Sequence, residues 1–509
     1  MIGAAGFGFA GCRLLALHVA WSGNVLLRLE RSGATGTTIG GGEHLLPGEV
    51  ILQSGDSYET PWVHVVATGD GLDGVSAAFH QWLRSRPSHP TRVPVTLNVW
   101  EAVYFNHDLG LLKELATRAA RIGVERFVLD DGWFHLRRND AAGLGDWWVD
   151  PVVWPHGLGP LIEHVRGLGM DFGLWFEPEM VNRDSDLYRA HPDWILAAGP
   201  REPLLERDQL VLDLTRDEVR NHLFDQISAM LSDNRIGYVK WDHNRELLEA
   251  GSGLTGGAPA VHQQTLGFYR LLDDLRERHP GVQWETCASG GGRIDLGVLD
   301  RAERVWTSDM TDALARQSIQ RWTGQLVPPE RLGAHVSAPT SHQTHRAFSL
   351  DFRAATALFG AFGIEWDITR ATEDDLDRLQ EWVSLFQRFR PLLHTGRIIR
   401  VDPSDPAVQI NGVIAADRGQ ALIAHVQLAE SAHNRGVAVR LPGLEPERRY
   451  TARWVGPVDS ERISYAPNVH PDGPARGAAI PGSVLATHGL WIPRRRAETI
   501  LLMHLQAVG

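Results

Sequence analysis

Cysteines are rare in this chain, and long uncharged runs are missing from it. Cys12 and Cys287 are the two cysteines among 509 residues, which excludes a disulfide framework and any CxxC metal motif. This scarcity favours a reducing compartment, so we predict a cytoplasmic protein. No apolar stretch reaches the ~18 uncharged residues that a membrane-spanning helix needs, so we predict no membrane partner.

Positive charge is also in short supply. The chain has 50 Lys and Arg against 62 Asp and Glu, which gives a formal net charge of -12 at pH 7. It has no basic cluster that could follow a phosphate backbone, so we predict no nucleic acid partner. Tryptophan, by contrast, occurs 18 times. Its flat ring suits sugar rings, although most tryptophans in a chain of this length fill the core.

The beginning of the chain alternates between apolar and polar residues. The run MIGAAGFGFAGCRLLALHVAW lacks the basic start of a signal peptide, and Arg13 and His18 interrupt its apolar part, so we predict a strand there. The runs LLALHVAW, NVLLRLER, EVILQSG and WVHVVAT predict antiparallel strands. SAAFHQWLRSRPSHPTRVP predicts a helix and a proline-rich linker, which places a domain boundary near residue 90.

Beyond this linker, short apolar runs alternate with longer amphipathic ones. Helices are predicted for LGLLKELATRAARIG, RDEVRNHLFDQISAMLSD and QTLGFYRLLDDLRERH. Eight strands are predicted, from the runs VTLNVWEA, VERFVLDDGW, MDFGLWFEPE, QLVLDL, IGYVKWDHN, GVQWETCASG, RVWTSD and FGIEWDIT. Each strand ends in polar residues, as expected where functional side chains gather at the C-terminal rim of a barrel. This α/β pattern predicts a (β/α)8 barrel of the TIM type rather than a doubly wound open sheet.

The predicted organisation has three parts. A partial N-terminal β-sandwich and its linker cover 1–90, and the barrel covers 91–395. Alternation then resumes in VQINGVIAA, ALIAHVQLA, VAVRLPGL, RYTARWVG and TILLMHLQAV, which predicts a C-terminal antiparallel β-sandwich over 396–509.

The fifth predicted strand, IGYVKWDHN, carries a charged cluster. Lys240 and Asp242 lie on one face of it by the period of two, so both can point into the barrel mouth. A neighbouring ammonium favours the ionised carboxylate, and an ionised Asp in a crowded pocket can attack carbon. A buried ion pair without a catalytic role is the alternative for this motif taken alone.

A second carboxylate follows on the strand RVWTSD. Asp309 lies two predicted strands further round the barrel than Asp242. Two carboxylates that face each other across a pocket are what cleavage of a glycosidic bond requires, because one acts as nucleophile and the other protonates the leaving oxygen. The pair therefore predicts cleavage of a glycosidic bond.

Nine blocks of this sequence resemble, in the same order, glycoside hydrolase family 36, the bacterial-type α-galactosidases. The blocks are NVWEAVYF, FVLDDGWF, GLGDWWV, FGLWFEPEMVN, HPDW, RDQLVLDL, YVKWDHNR, CASGGGRID and WTSDMTDA. The resemblance extends from about Ala20 to the C-terminal sandwich. A single block is unspecific, and the order of all nine makes the resemblance specific.

The resemblance implies a retaining double displacement with Asp242 as nucleophile and Asp309 as acid/base, without metal or cofactor. It implies that Asp130 and Asp131 bind galactose hydroxyls around C4 and C6, and the alternative is a plain turn before Gly132. Other residues implied to line the same galactose subsite are Trp100, Trp175, Arg207, Lys240, Asn244, Cys287 and Gly290. Residues expected to support the subsite from outside are Trp133, Glu177 and Arg293.

One loop matches the family pattern, and one turn departs from it. CASGGGRID resembles the family loop around the sugar 2-hydroxyl, which makes Cys287 a sugar contact rather than a nucleophile. A phosphate loop is discounted, since neither GxGxxG nor GxxxxGK[ST] occurs. Arg207 is followed by Asp208, where the family commonly has Asn, so the extra carboxylate is expected to alter the rim.

Three histidines have a spacing that resembles metal ligands. They are His335, His342 and His345 of AHVSAPTSHQTHRA. No nearby Glu or Cys completes a zinc site, so we predict loop or interface histidines. The run EDDLDRLQEW is interpreted as the solvated face of a helix.

The implied function is hydrolysis of terminal non-reducing α-D-galactosyl residues from melibiose or raffinose-type oligosaccharides, with a small galactoside as partner. Alternatives are an α-N-acetylgalactosaminidase, galactosyl transfer on the same scaffold, or a galactoside-binding protein without catalysis. Full-length relatives carry a larger N-terminal sandwich, of which only the final strands are recognisable here. A homo-oligomer is therefore left open, and exposed edges and apolar surface are expected.

Overall fold

The N-terminal part of the computed structural model, which describes residues 1–33, 36–457 and 474–508, contains small antiparallel sheets and a helix. Its elements are β1 (Ile2–Gly3), β2 (Leu14–Val19), β3 (Val25–Ser32), β4 (Gly36–Glu43), β5 (Val63–Thr68) and α1 (Gly71–Arg84). One sheet has the order β1-β2-β5, and β3 pairs with β4 in a separate sheet. Apolar side chains of β3 are exposed as expected, with Leu27 and Leu29 at 63% and 64%.

Most of the N-terminal strand predictions are confirmed, and one is wrong. LLALHV, NVLLRLER and WVHVVAT contain β2, β3 and β5, whereas EVILQSG has no regular structure. This segment is fixed by hydrogen bonds to a side chain rather than by pairing with another strand. Glu49 accepts hydrogen bonds from the backbone N–H of Leu46 at 2.7 Å and from that of His262 at 2.5 Å. The strand β4 escaped prediction because its glycine-rich sequence, GTTIGGGE, has no apolar alternation.

Eight parallel strands close into the predicted barrel. The barrel strands are β6 (Thr96–Asn98), β7 (Arg126–Leu129), β8 (Asp171–Phe176), β11 (Tyr238–Trp241), β12 (Gln283–Thr286), β13 (Arg304–Trp306), β14 (Leu332–Ser337) and β15 (Ala361–Glu365). Between β8 and β11 the chain forms β9 (Met180–Asn182) and β10 (Gln209–Val211), which make a separate sheet. The closed order is β11-β12-β13-β14-β15-β6-β7-β8. The (β/α)8 fold class is confirmed.

One predicted barrel strand is wrong and one was missed. QLVLDL contains β10, but β10 pairs antiparallel with β9 outside the barrel. Hydrophobic periodicity cannot distinguish these two kinds of partner. The missing strand is β14, LGAHVS, whose small and polar residues give a weak apolar signal. The strand that carries Lys240 is therefore the fourth of the barrel rather than the fifth, and Asp309 still lies two strands further on.

Helices surround the barrel and include all of those predicted. Their bounds are α2 (Trp100–Val103), α3 (Leu109–Arg121), α4 (Gly159–Gly167), α5 (Asp186–Ala190), α6 (Asp217–Asp233), α7 (Val261–Arg278), α8 (Leu296–Leu299), α9 (Ala313–Thr323), α10 (Leu350–Ala357) and α11 (Glu373–Thr395). The N-terminus of α11 has a capping box between Thr372 and Asp375. Within the described ranges, no helix is long and apolar enough to cross a bilayer.

The C-terminal part forms antiparallel sheets with a core of their own. The elements are β16 (Arg397–Val401), β17 (Val408–Ile414), β18 (Gln420–Gln427), β19 (Val437–Val439), β20 (Arg449–Val455), β21 (Ile480–Pro481), α12 (Gly482–Thr487), β22 (Leu490–Ile492) and β23 (Thr499–Val508). The larger sheet has the order β16-β17-β18-β23-β20-β21, and β19 pairs with β22. Ile410, Tyr450 and Leu505 are buried in this second core. The boundaries near 90 and 395 stay predictions.

Candidate active site

The parallel strand ladder continues into the polar residues at the C-terminal rim of the barrel. The backbone N–H of Asp242 donates to the Phe176 carbonyl at 2.8 Å, and that of Cys287 donates to the Trp241 carbonyl at 2.8 Å. Lys240 lies opposite Trp175 in the register of β11 with β8. The backbone of the barrel therefore fixes the candidate nucleophile and its neighbours on adjacent strands.

The candidate nucleophile Asp242 is buried and hydrogen-bonded. Its Oδ2 accepts from the Trp175 indole Nε1 at 3.1 Å, and its Oδ1 accepts from the His243 backbone N–H at 2.8 Å. Burial by itself would raise the pKa of Asp242, but the charge of Lys240 and the hydrogen bonds outweigh it and hold the pKa below its ordinary value. Asp242 is therefore ionised, as a carboxylate nucleophile must be.

Lys240 forms its ion pair with Asp130 rather than with Asp242. Its Nζ lies 2.9 Å from Asp130 Oδ2, and both side chains are buried. Asn98 Nδ2 donates to the same oxygen at 2.6 Å. The alternative of an ion pair between Lys240 and Asp242 is wrong among the described residues, because the ion-pair partner of Lys240 is Asp130, directly after β7. Because the ammonium also lowers the pKa of Asp242, one buried cation stabilises two carboxylates.

Asp131 is held by a second buried cation. Arg137 Nε donates to Asp131 Oδ1 at 2.9 Å and Nη2 donates to Oδ2 at 2.8 Å, in a two-pronged pair. The backbone N–H of Asp131 donates to Asp130 Oδ1 at 2.9 Å. A carboxylate oxygen can accept two hydrogen bonds, so both carboxylates keep acceptor capacity for a ligand. The DDGW run is thus more than a plain turn.

Asp309 has an environment opposite to that of Asp242. It follows β13, is exposed at the mouth of the barrel, and its Oδ1 accepts from the Trp306 indole Nε1 at 2.8 Å. Desolvation by the surrounding protein raises the pKa of Asp309, and the negative charge of Asp242 raises it further. Lys240 and Trp306 oppose this effect without cancelling it. One carboxyl therefore favours ionisation and the other favours protonation.

Two further buried carboxyls limit the negative charge around Asp242. Burial and the charge of Asp242 raise the pKa of Glu177 to about 8. Glu177 accepts from the Asn244 backbone N–H at 2.7 Å, which agrees with its expected supporting role. Burial raises the pKa of Glu365, the last residue of β15, to about 7. Both groups are therefore substantially protonated near neutral pH.

Cys287 and Asn244 connect the loops that follow β11 and β12. Desolvation and then the charge of Asp242 raise the pKa of the buried Cys287 thiol well above its ordinary value. A neutral, buried thiol is a poor nucleophile. Asn244 Oδ1 accepts from the backbone N–H and the hydroxyl of Ser289 at 3.2 and 3.1 Å.

Gly290 packs against the backbone that carries Asp309. Its φ is +82°, and a Cβ at this position would lie 2.6 Å from Ser308 Cα and 2.7 Å from the Asp309 nitrogen. A left-handed conformation and this close approach both require glycine. The loop around Gly290 thus touches the segment of the candidate acid/base directly.

Gly290→Ala is expected to lower kcat/KM on the order of 10- to 100-fold, because it displaces the Asp309 segment from its reacting position. The measurement is steady-state kinetics together with near-ultraviolet circular dichroism. Gly281→Ala is the matched control. Gly281 precedes β12, the strand that Gly290 follows, and a Cβ at position 281 would have open space around it. Equal kinetics for the two folded variants would contradict the expectation.

Trp100 and Arg207 lie further out on the rim. Trp100 begins α2, and its backbone N–H donates to Asn98 Oδ1 at 2.8 Å. Arg207 lies on a turn with φ +52°, and its guanidinium is 3.9 Å from the Asp140 carboxylate. It lines a cavity of about 590 Å³ with Asn244 and Ser289. Arg207 thus lies beside the candidate site, and its described ion-pair partner, Asp140, is not one of the candidate site residues.

The other predicted supporting residues and the histidines have structural partners. Trp133 Nε1 donates to the Trp175 carbonyl at 2.9 Å, and Arg293 pairs with Glu179 at 2.9 Å. His335 lies in β14, and its ring, which is 5% exposed, is 3.1 Å from Glu365, so its assignment to a loop or interface is wrong. Among the described residues, no cluster of His, Cys, Asp and Glu could hold a metal ion.

Some contributors to the cluster were missed in the sequence. Asn98 and Arg137 bind the two carboxylates of the DDGW run, and Glu365 ends a barrel strand. The run FGIEWD carries an acidic residue at a predicted strand end, so Glu365 could have been found by the same signal as Asp242 and Asp309. Asn98 and Arg137 lack such a signal, because their partners depend on the folded loops.

Comparisons with known proteins agree with this geometry. The family model described as Melibiase matches residues 57–396, and that of the glycosyl hydrolase family 36 C-terminal domain matches residues 406–505. An α-galactosidase from Escherichia coli is 40% identical, over 99% of this chain and 72% of the relative. The α-galactosidase AgaA from Geobacillus stearothermophilus is 37% identical, over 88% of this chain and 62% of the relative.

A crystal structure of AgaA from Geobacillus stearothermophilus has the same fold, with a TM-score of 0.91 at 34% identity. The similarity covers 99% of this chain and 69% of AgaA. Variants of AgaA have been crystallised in complex with raffinose and with stachyose. This chain therefore corresponds to about two thirds of its relatives' length.

A parallel eight-stranded barrel with two oppositely tuned carboxyls at its C-terminal rim defines a glycoside hydrolase of the (β/α)8 class. The matched family models cover both the barrel and the C-terminal sheets. The chain belongs to glycoside hydrolase family 36, the melibiase family.

Proposed function

We propose that this chain is an α-galactosidase that hydrolyses terminal non-reducing α-D-galactosyl residues with retention of anomeric configuration. The observation that carries the proposal is the opposite tuning of Asp242 and Asp309: the pKa of the first is lowered and the pKa of the second is raised. A retaining glycosidase needs an ionised nucleophile beside a protonated acid. Membership of the melibiase family supports galactose as the sugar.

In the first step, a carboxylate oxygen of Asp242 bonds to the anomeric carbon as the bond from that carbon to the leaving oxygen breaks. Asp309 gives its proton to the leaving oxygen, so the aglycone departs as an alcohol. Trp175 and the His243 backbone N–H orient the attacking carboxylate. The product is a galactosyl ester of Asp242 and an ionised Asp309.

In the second step, Asp309 takes a proton from water while the water oxygen bonds to the anomeric carbon. The ester bond to Asp242 breaks and releases galactose, which restores the starting protonation states. The exposure of Asp309 supports this role, because water must reach it. Two inversions at one carbon give net retention.

Selectivity for galactose is assigned to the charged pairs at the rim. Asp130 and Asp131 accept hydrogen bonds from sugar hydroxyls, and Lys240 donates one. Since Lys240 and Arg137 hold these carboxylates rigidly, an epimer with a misplaced 4-hydroxyl leaves a buried polar group unpaired. The remaining walls of the sugar site are assigned to Trp100, Trp175, Arg207, Asn244, Cys287 and Gly290.

The proposed natural substrates are melibiose and raffinose-type oligosaccharides. Complexes of AgaA variants with raffinose and stachyose support this class of substrate. Action in the cytoplasm is proposed from the low cysteine content. Self-association stays open.

The test is incubation with 4-nitrophenyl α-D-galactoside, the β-galactoside and the α-glucoside, with proton NMR of the first-formed sugar. We expect nitrophenol from the α-galactoside alone and α-galactose as the first product. β-Galactose as the first product would contradict retention, and a folded chain without turnover would contradict the enzyme. Faster release from the N-acetylgalactosaminide, or disaccharide products at high acceptor concentration, would favour the alternative activities.

A further inference from the structure

The candidate acid/base Asp309 lies on a short loop between β13 and α9. Irregular backbone gives a side chain less precise placement than a strand does. Its one described side-chain hydrogen bond is with Trp306, which ends β13. Additional contacts must therefore fix the loop if Asp309 is to reach the leaving oxygen with a defined geometry.

Every backbone carbonyl from residue 308 to residue 310 is tied by a side chain. Arg316 Nη2 donates to the Ser308 carbonyl at 2.5 Å, and Arg316 Nε donates to the Met310 carbonyl at 2.6 Å. Gln343 Nε2 donates to the carbonyl of Asp309 itself at 2.7 Å. The guanidinium of Arg316 thus binds the backbone on both sides of the candidate acid/base.

Arg316 also supports the hydrogen-bond partner of Asp309. Its Cζ lies 4.5 Å from the centroid of the Trp306 ring, and its Nη1 donates to Thr307 Oγ1 at 2.6 Å. The stacking holds the indole whose Nε1 donates to Asp309. Arg316 therefore acts on both the backbone and the side-chain partner of Asp309.

Within the described part of the chain, Arg316 binds two carbonyls and a hydroxyl rather than a carboxylate. Its side chain is buried, and none of the described carboxylates lies within ion-pair distance of it. Burial lowers the pKa of Arg316 to about 10, and the nearby charges of Glu365 and Asp309 act in the opposite direction. A buried cation without a close counter-ion is unfavourable for stability, which points to a functional reason for keeping it.

We propose that Arg316 is a positioning residue for the acid/base step: it holds the 307–310 loop and Trp306 so that the Asp309 carboxyl meets the leaving oxygen. The inference rests on the proposed function of Asp309. Arginine is needed rather than lysine, because three acceptors and an aromatic face surround one planar, forked group.

The experiment compares Arg316→Met and Arg316→Lys with the wild type on two substrates that differ in leaving group. Melibiose releases a sugar alkoxide that needs a proton, whereas nitrophenolate leaves without one. We expect Arg316→Met to lower kcat/KM on the order of 100-fold for melibiose and about 10-fold or less for 4-nitrophenyl α-D-galactoside. Arg316→Lys should show the same bias, since it keeps the charge and loses the fork.

A second readout uses azide, which attacks the galactosyl ester without needing a base. Azide should raise the kcat of the Arg316 variants on the nitrophenyl substrate and leave that of the wild type unchanged. The matched control is Arg331→Met. Arg331 is also a buried arginine that binds backbone carbonyls, those of Leu299 and Ala302, but it lies away from Asp309.

The outcomes separate this inference from the proposed function. An unchanged ratio of the two kcat/KM values in either folded Arg316 variant would overturn the positioning role, and so would an equal change in Arg331→Met. If Arg316→Met does not fold, the ratio and the azide response of Arg316→Lys decide. A folded wild type that turns over neither substrate would overturn the proposed function instead.

Discussion

Asp242→Asn is expected to abolish measurable turnover of every galactoside, with a loss of kcat on the order of 10⁴- to 10⁶-fold, as for lost nucleophiles in other hydrolases. The amide keeps the shape of the carboxylate, and its oxygen can still accept from Trp175 or His243. It cannot form the galactosyl ester, so neither chemical step can proceed. The measurement is nitrophenol release at enzyme concentrations high enough to detect the residual rate.

The matched control for this variant is Asp295→Asn. Asp295 and Asp242 are both 6% exposed, but Asp295 caps α8 and accepts from the Gly297 backbone N–H at 2.7 Å. An asparagine can also cap a helix, so this variant should retain activity. Residual turnover by Asp242→Asn above the expected range would refute its role as nucleophile.

Azide distinguishes the nucleophile from a merely structural carboxylate. In Asp242→Gly, the lost side chain leaves room for azide to attack the anomeric carbon directly, while Asp309 still protonates the leaving oxygen. One inversion gives β-galactosyl azide. Formation of the α-azide would instead show that a galactosyl ester still forms in this variant.

The sequence was informative where a residue's role depends on its position along a strand. Lys240 and Asp242 follow from the period of two, and Asp309 follows from its place at the end of RVWTSD. The predicted barrel includes β10 where the structure has β14. This error does not change the relative positions of Asp242 and Asp309, because β11 and β13 are two strands apart in both. The rim residues were therefore placed correctly despite an error in the strand count.

Long-range pairing is what the sequence could not supply. Lys240 was considered with Asp242, its neighbour on the strand, whereas its ion-pair partner Asp130 is 110 residues away. The sequence predicts a loop or interface for His335 because β14, which contains it, has a weak apolar signal. Arg316 has no local signal either, since its acceptors are backbone carbonyls that become available only in the folded loop.

Lys240 and Arg316 act differently on the two candidate catalytic aspartates. Lys240 lies among carboxylates and stabilises negative charge on Asp130 and Asp242. Arg316 contacts carbonyls and an indole, and none of the described cations forms an ion pair with Asp309. This asymmetry lets one aspartate stay ionised while the other keeps a proton, although both occupy the same rim.

Asp309→Ala is expected to lower kcat/KM for melibiose about 10²- to 10⁴-fold and to spare the nitrophenyl substrate in the first step. The alanine variant cannot protonate a sugar alkoxide, whereas nitrophenolate leaves without a proton. Its galactosyl ester should then accumulate, because no base activates water. Azide should relieve this block and give α-galactosyl azide by a second inversion. A loss that is equal for both substrates would contradict the acid/base assignment.

The same variant should change only the alkaline side of the pH profile of kcat/KM. Since the pKa of Asp309 is raised above its ordinary value, the wild-type kcat/KM for melibiose should fall at high pH as Asp309 loses its proton. The pKa of Asp242 is lowered, so the acidic limb should lie at low pH, where Asp242 becomes protonated. Asp309→Ala should lose the alkaline limb of its residual kcat/KM for melibiose and keep the acidic one. If the alkaline limb persists, its titrating group is another buried carboxyl such as Glu177 or Glu365, and the proton donor would have to be sought there.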